Sequence, residues 1–153
     1  MRVASVAGRP SPLLRRLLPT LVVLTLAALS PACSSGRKPV HPVRGQILVN
    51  GKPVAQAQVL LHPAEGGQSE PHPTGQTDDQ GYFTLTSYAN GDGAPEGSYA
   101  VTVTWFRVAA GGRNEVVRYN ALPQRYAVPQ SSQLRVTIAK GNNELTPLQL
   151  YSR

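Results

Sequence analysis

The sequence predicts an all-β fold, an antiparallel β-sandwich of approximately seven strands preceded by a signal peptide. Three observations lead to this class. After Gly36, apolar residues alternate with polar ones and no helical period occurs. Turn residues separate the alternating runs, and a cationic segment followed by an apolar run opens the chain. The length of 153 residues is enough for one domain with a hydrophobic core.

Residues 1–32 are predicted to be the signal peptide. Residues 1–16 carry only positive charge, and the run LLPTLVVLTLAALS, residues 17–30, is apolar and uncharged. Small residues then lead to Cys33, as at a cleavage site. The apolar run is shorter than the roughly 20 residues of a membrane-spanning helix, and Pro19 interrupts it. We therefore expect export through the general secretory route rather than a permanent transmembrane helix.

Cys33 is the only cysteine, so the chain forms no intramolecular disulfide. Its surroundings resemble the lipobox of bacterial lipoproteins, in which the cysteine receives lipid chains. Ala32 fits that pattern, whereas Ser30 and Pro31 depart from it. The resemblance implies that Cys33 is lipidated, that a lipid anchor holds the protein at a membrane, and that residues 33–39 are a flexible tether. The alternative is a thiol that is lost with the signal peptide.

The formal net charge of +7 is concentrated near the N-terminus. Four of the fifteen Lys and Arg residues precede Pro19, and from Cys33 onward eleven stand against eight Asp and Glu, which leaves about +3. A domain that binds nucleic acid usually carries a clustered basic patch with aromatic residues. The arginines of residues 107–125 are spaced out instead, so we expect no nucleic-acid partner.

The part of the chain after the tether is predicted to consist of half-buried strands, in which every second side chain faces the core. The residues predicted to face the core are, in chain order, Ile47 and Val49; Ala57, Val59 and Leu61; Phe83 and Leu85; Tyr99, Val101, Val103 and Trp105; Leu134, Val136 and Ile138; and Leu148 and Leu150. We expect the buried hydroxyl of Tyr99 to find a loop carbonyl.

The residues between the predicted strands are typical of the tight turns that connect antiparallel strands. Asn50-Gly51 separates residues 43–49 from 54–62, and this dipeptide strongly favours a two-residue hairpin because both residues tolerate positive φ. Pro53 cannot donate a ladder hydrogen bond and belongs at the start of a strand. The acidic turn at residues 78–81 leads into the next strand in the same way.

Two segments lack the alternation. Residues 63–73 are polar, contain three prolines and predict an exposed loop. Residues 107–132 predict a long extended connection with a mobile tip at 109–112 and a short strand at Val116-Val117. Because loops on a rigid scaffold commonly carry recognition, we expect the contact surface at residues 63–73 and 107–121.

The ordered motifs resemble the carboxypeptidase regulatory-like domain, one of the transthyretin-like β-sandwiches, whose architecture is Ig-like. The motifs are Gly45 followed by VNGKPV (residues 49–54), TDDQGYFTL (residues 77–85) and GSYAVTV (residues 97–103). The resemblance implies a single such domain over residues 40–151, in the manner of small bacterial lipoproteins that carry it alone. It also implies an accessory module with no cofactor, because in carboxypeptidases the zinc-containing catalytic domain is separate.

No catalytic or metal-binding residue is predicted. His41, His62 and His72 share no ligand spacing and are interpreted as solvated loop histidines, with a metal-binding pair as the alternative. Asp78-Asp79 supplies two adjacent carboxylates, which are too few for the roughly six oxygens that Ca²⁺ takes.

The catalytic alternative is an enzyme of related architecture, the transthyretin-like hydrolase of 5-hydroxyisourate. That family ends in Tyr-Arg-Gly-Ser, whereas this chain ends in Tyr151-Ser152-Arg153, and His41 is followed by Pro42. These departures do not favour the hydrolase.

The sequence therefore predicts a non-catalytic cell-envelope lipoprotein with a binding or structural role, whose partner is an envelope protein or a glycan. The predicted binding residues are Trp105, Arg107, Arg113 and Arg118. A carbohydrate-binding or adhesion module that uses Trp105 as a platform is the alternative. The shared parity of Trp105 and Val103 favours a position in the core or at its rim.

Overall fold

The computed structural model describes residues 36–65 and 70–152, and from Lys38 onward they form one compact unit. The predicted signal peptide, Cys33 and the first residues of the tether lie outside the described residues. The described residues form strands and two short 3-10 turns without any α-helix, which confirms the predicted all-β class. In this part of the chain no helix has the length and apolar character needed to cross a bilayer.

The strands are short, and the longest has eight residues. They are β1 (Val40–His41), β2 (Val43–Val49), β3 (Lys52–Pro53), β4 (Gln58–Pro63), β5 (Thr74–Gln76), β6 (Tyr82–Thr84), β7 (Ala94–Pro95), β8 (Gly97–Thr104), β9 (Phe106–Ala110), β10 (Val116–Asn120), β11 (Arg135–Ile138), β12 (Asn143–Glu144) and β13 (Leu148–Leu150). The 3-10 turns are Gly112–Asn114 and Gln124–Ala127.

Two main sheets form the sandwich. One has the antiparallel order β11-β8-β4-β5, and the other is built around β2, with β3 and β6 antiparallel to it. β12 and β13 pair with β2 in parallel, which adds to the antiparallel arrangement expected from the sequence. The described strands of three or more residues in these two sheets number seven, as the spacing of the alternating runs predicts.

The core lies between the two sheets and contains the predicted inward-facing side chains. Most of them are fully buried, while Trp105, Leu134, Val136 and Leu148 are partly buried and pack against the others. Two further core residues, Leu122 and Tyr126, come from the segment predicted as an extended connection. A 3-10 turn places the ring of Tyr126 against the sandwich, so the part of this segment from Leu122 to Ala127 covers the core rather than forming a free loop.

The turn at Asn50-Gly51 is the predicted two-residue hairpin. Both residues have positive φ, 51° and 77°, and the strands pair as Val49 with Lys52 and Leu48 with Pro53. The return strand β3 ends after two residues, because the chain then crosses to the other sheet, where β4 pairs with β5 and β8. Ala57 lies fully buried in this crossing, and its N–H donates to the hydroxyl of Thr77 at 2.8 Å.

Candidate functional site

β9 and β10 form a two-stranded antiparallel hairpin, residues 106–120, which we call the ribbon. Its register runs from Phe106 opposite Asn120 to Ala110 opposite Val116. The ribbon follows Trp105, directly after the end of the pairing between β8 and β4. The prediction of an extended connection over residues 107–132 was therefore wrong for the ribbon, although the short strand at Val116-Val117 is confirmed.

Both faces of the ribbon are open to solvent. All five residues of β9 and the first four of β10 are exposed, including Val108 at 69 % and Val116 at 74 %. Phe106, Val117 and Tyr119 are exposed large side chains on the same element. Valines and aromatic rings in water on a projecting element are typical of a contact surface rather than of a core.

Arginine side chains give the ribbon a positive charge. The guanidinium of Arg107 lies 4.9 Å from the centre of the Trp105 ring, and that of Arg118 lies 4.4 Å from the centre of the Phe106 ring on the other face. Arg113 lies in the turn at the tip with a φ of 56°. These three arginines stand against the single carboxylate of Glu115 within residues 106–120.

Trp105 fixes the base of the ribbon. Its indole N–H donates to the carbonyl of Ala55 at 3.1 Å, and its backbone N–H donates to the side-chain oxygen of Asn120 at 3.0 Å. The N–H of Ala121 in turn donates to the carbonyl of Trp105 at 2.8 Å. The half-buried ring packs on the core, so the position at the core rim that the sequence favours is the one observed.

The four predicted binding residues all lie at the base, on the strands or at the tip of the ribbon, but they do not form one patch. Trp105 and Arg107 contact each other on one face, Arg118 stacks on the opposite face, and Arg113 lies at the far tip. The arrangement can present cations on more than one side at once, which suits an elongated partner better than a small ligand.

The described residues of the other predicted contact segment, 63–65 and 70–73, lie at the opposite end of β8. Pro63 belongs to β4 and pairs with Tyr99, and Glu70 forms an ion pair with Lys38. From Gly97 to Thr104 β8 extends about 23 Å at about 3.3 Å per residue, and the ribbon begins beyond its last residue. The structure therefore does not bring the two segments together.

His62 and His72 form a contact that the sequence did not predict. His62 lies in β4, not in a loop, and its ring meets the edge of the His72 ring with 5.4 Å between centres. Its Nε2 lies 3.0 Å from the hydroxyl of Thr102. Burial, and then the neighbouring charge of His72, lower the pKa of His62 below its usual 6.5. Across residues 36–65 and 70–152, no three His, Cys, Asp or Glu side chains are placed to share a metal ion.

The remaining polar candidates have structural partners. One carboxylate oxygen of Asp78 accepts hydrogen bonds from the N–H groups of Gln80 and Tyr82, both at 2.9 Å, and so closes the acidic turn. His41 lies half-buried in β1 and not in a solvated loop, and its Nδ1 accepts a hydrogen bond from the N–H of Gly141 at 3.2 Å. Tyr151 follows Leu150 at the other end of β2, and β2 is about 20 Å long at about 3.3 Å per residue. His41 and Tyr151 are too far apart to act on one small substrate.

Open clefts lie elsewhere on the described part of the sandwich, and two of them differ in the charge of their lining residues. One, of about 470 Å³, is lined by Lys38, Glu65, Glu70 and Glu96 beside Tyr99. The other, of about 630 Å³, is lined by uncharged side chains, namely Gln58, Val59, Leu60, Thr74, Gln76, Thr84, Thr86 and Asn90, and by Gly75. The threonines of the second cleft have no general base among its lining residues, so this cleft lacks a nucleophile–base pair.

No protein-family model matches the chain, and no curated protein matches it. Among solved structures, the chain is similar to a 9R-lipoxygenase from Cyanothece, with 17 % identity and a TM-score of 0.39 over 92 % of this chain and 21 % of that chain. It is similar to BcpA, the major pilin subunit of Bacillus cereus, with 13 % identity and a TM-score of 0.42 over 74 % and 30 %. It is also similar to a DUF3823 family protein from Parabacteroides merdae, with 15 % identity and a TM-score of 0.36 over 76 % and 47 %. The chain thus spans less than half of each of these proteins, and the assignment of the fold rests on the two sheets themselves.

Proposed function

We propose that this protein is a non-catalytic module of the cell envelope, in which a carboxypeptidase regulatory-like β-sandwich presents the ribbon to a partner. A lipid on Cys33 holds it at the membrane after export. The observation that carries this proposal is the ribbon, an element whose two faces are both exposed and which carries valines, aromatic rings and three arginines. Exposed apolar side chains lower the solubility of a protein, and a role in binding a partner explains why they are present on the ribbon.

The position of the chain entry supports the same arrangement. Val40 pairs with Pro95, two residues before the start of β8, and Lys38 reaches Glu70 at that same end. The ribbon follows the last residue of β8. A chain anchored upstream of Lys38 enters the domain at the end opposite the ribbon, which leaves the ribbon free of the chain entry.

Glycan recognition through Trp105 is less well supported than a protein contact. The Arg107 guanidinium covers the ring of Trp105, and the indole N–H is already bonded to Ala55. A sugar ring stacking on Trp105 would have to displace Arg107. A glycan array that binds the protein and loses binding in Trp105→Ala, but not in Tyr119→Ala, would replace the present proposal with the carbohydrate-binding one.

The anchoring half of the proposal is tested by mass spectrometry of the mature N-terminus, on protein isolated from membranes. We expect the chain to begin at Cys33 with a diacylglyceryl modification, and we expect Cys33→Ala to leave the membrane fraction. Cys33→Ser keeps nearly the same side-chain size, so it shows whether the missing thiol, and not a change of size, is responsible for the loss. An unmodified chain that begins at another residue contradicts lipidation and leaves the sandwich and the ribbon intact.

A further inference from the structure

The ribbon has two free ladder edges. The N–H of Gly111 donates to the carbonyl of Glu115, and that of Ala121 donates to the carbonyl of Trp105. In an antiparallel pair, hydrogen-bonded residue pairs alternate with pairs whose N–H and C=O groups point outward. The register therefore turns the backbone groups of Phe106, Val108 and Ala110 toward one edge and those of Val116, Arg118 and Asn120 toward the other.

Neither edge pairs with another strand among the described residues, since the ribbon is a sheet of two strands only. Natural proteins usually protect such an edge with proline, a bulge or a covering loop. β9 and β10 contain no proline, and their register continues without a bulge from Phe106 to Ala110. Both edges are thus able to accept a third strand.

The side chains beside these edges define the chemistry of that strand. On the edge of β9, exposed Val108 lies on the face opposite Arg107. On the edge of β10, exposed Val117 and Tyr119 lie on the face opposite Arg118. Apolar residues at alternate positions of an added strand would cover these exposed side chains. Arg107 and Arg118 lie on the two faces, where they would meet carboxylates on alternate positions. Within residues 106–120 only Glu115 opposes the positive charge.

We propose that the ribbon binds an extended, acidic segment of a partner protein by β-strand addition. The segment forms a third strand on the edge of β9 or of β10, its backbone completes the free ladder and its carboxylates pair with Arg107 or Arg118. This inference rests on the proposed function only in taking the ribbon as the contact surface, and it does not depend on lipidation of Cys33.

A second copy of this chain suits the edge of β10 less well. Antiparallel pairing of two β10 strands centred on Arg118 would place the two arginines opposite each other, and like charges in that position are destabilising. A lipid surface is also disfavoured, because the tip of the ribbon carries the charged residues Arg113 and Glu115.

The test uses the mature full-length protein and two labelled peptides of about eight residues, a length within the usual range for a strand. One peptide alternates valine with glutamate, and the other alternates valine with lysine. We expect fluorescence anisotropy to show that the glutamate peptide binds. The dissociation constant of the lysine peptide is expected to be at least about tenfold higher. Equal binding of the two peptides, or binding of neither, contradicts the inference.

The edge is identified with proline variants. Val108→Pro and Val116→Pro each remove an outward N–H without removing a hydrogen bond within the ribbon, and Val108→Thr and Val116→Thr are the matched controls. We expect one proline variant to abolish binding of the glutamate peptide and both threonine variants to retain it. If neither proline variant weakens binding, strand addition is wrong.

Two further measurements do not depend on the folding of the proline variants. Two glutamate peptides are N-methylated, one at the odd-numbered and the other at the even-numbered residues. We expect the peptide whose methylated N–H groups face the ribbon to lose binding and the other peptide to keep it. The variants Arg107→Glu and Arg118→Glu are expected to shift preference toward the lysine peptide on the edge that is used. The proposal is wrong if both N-methylated peptides still bind, or if both charge variants still prefer the glutamate peptide. Lipid anchoring is tested separately, by the mass of the mature N-terminus.

Discussion

Tyr99 shows how a single residue joins burial and hydrogen bonding in this sandwich. Its side chain is 2 % exposed, and its hydroxyl donates to the carbonyl of Pro95 at 2.9 Å. The predicted burial and backbone acceptor are confirmed, but the acceptor lies in the short strand β7 and not in a loop. Burial, and then the charges of Glu70 and Tyr88, raise the pKa of Tyr99, so the hydroxyl keeps its proton and donates throughout the neutral range.

Removing that hydroxyl leaves a buried carbonyl without its partner. We expect Tyr99→Phe to lower the free energy of unfolding by about 1–2 kcal/mol, measured by urea denaturation. Tyr119→Phe is the matched control, because Tyr119 is exposed on the ribbon, and it should leave the midpoint unchanged. Equal midpoints for the two variants would show that the bond to Pro95 contributes nothing.

His62 makes the stability depend on pH. Because its pKa is lowered in the folded protein, the unfolded chain takes up a proton at a higher pH than the folded one. Stability therefore falls as the pH drops through about 6.5, the usual value that the unfolded chain retains. We expect the free energy of unfolding of His62→Gln to fall less over this window than that of the wild type.

The same pair can be followed directly by NMR titration of the imidazole protons. His62 is expected to titrate below 6.5 and to move upward in His72→Gln, since the neighbouring ring contributes to the shift. Titration of His62 at or above 6.5 in the wild type contradicts the burial of its ring against Thr102.

The contact between His62 and His72 could not be predicted from the sequence, because it depends on the register between β4 and β5. The pairing of Leu60 with Thr74 continues along β4 and brings His62 opposite His72, ten positions away in the chain. The position of Tyr99, by contrast, follows from alternation alone. Local periodicity identifies which side chain is buried, whereas the partner on another strand is fixed by the fold.

Among the elements, the tight turns were the most predictable. Gly51 and Gly81 both have positive φ, 77° and 76°, but their surroundings differ. A Cβ on Gly51 would meet nothing within 4 Å, whereas one on Gly81 would lie 2.7 Å from the backbone oxygen of Ile47. Both glycines are required for conformation, and Gly81 is required for space as well.

The two turns can be compared by alanine substitution. Gly51→Ala should cost about 1 kcal/mol, the penalty of a left-handed conformation alone. Gly81→Ala should cost at least about 2 kcal/mol, because the backbone of β2 must also move. Thermal unfolding of the two variants measures the difference, and a Gly51→Ala variant as unstable as Gly81→Ala would refute the steric account.

The ribbon was missed for a physical reason. Alternation arises when one face of a strand is buried, and β9 and β10 bury neither face, so RVAAGG and VVRYN carry no period-two pattern. The parallel pairing of β12 and β13 with β2 could not be predicted either. The alternating pattern of a short strand is the same whether its neighbour runs parallel or antiparallel to it. The residues proposed for binding were nevertheless named, because exposed arginines near aromatic residues are visible without the fold.

At the scale of the whole molecule, the chain entry and the ribbon lie at the two ends of β8. The chain enters near Gly97, beside the ion pair of Lys38 and Glu70, and the ribbon leaves after Thr104. The sheets between them provide a rigid spacer of about 23 Å at about 3.3 Å per residue. The proposed role of the ribbon as the contact surface is consistent with this position, opposite the chain entry.

The most direct test of this claim is site-specific photocrosslinking in the cells that produce the protein. A photoreactive residue replaces Val108 or Val116, which lie beside the two edges of the ribbon, or, as the control, Lys140, which is exposed near His41 at the opposite end. The account predicts a discrete crosslinked protein from position 108 or 116 that weakens with the charge variant on the same strand, Arg107→Glu or Arg118→Glu, and none from position 140. Equal crosslinking from all three positions, or none from both ribbon positions in membrane-bound protein, would contradict the ribbon as the contact surface.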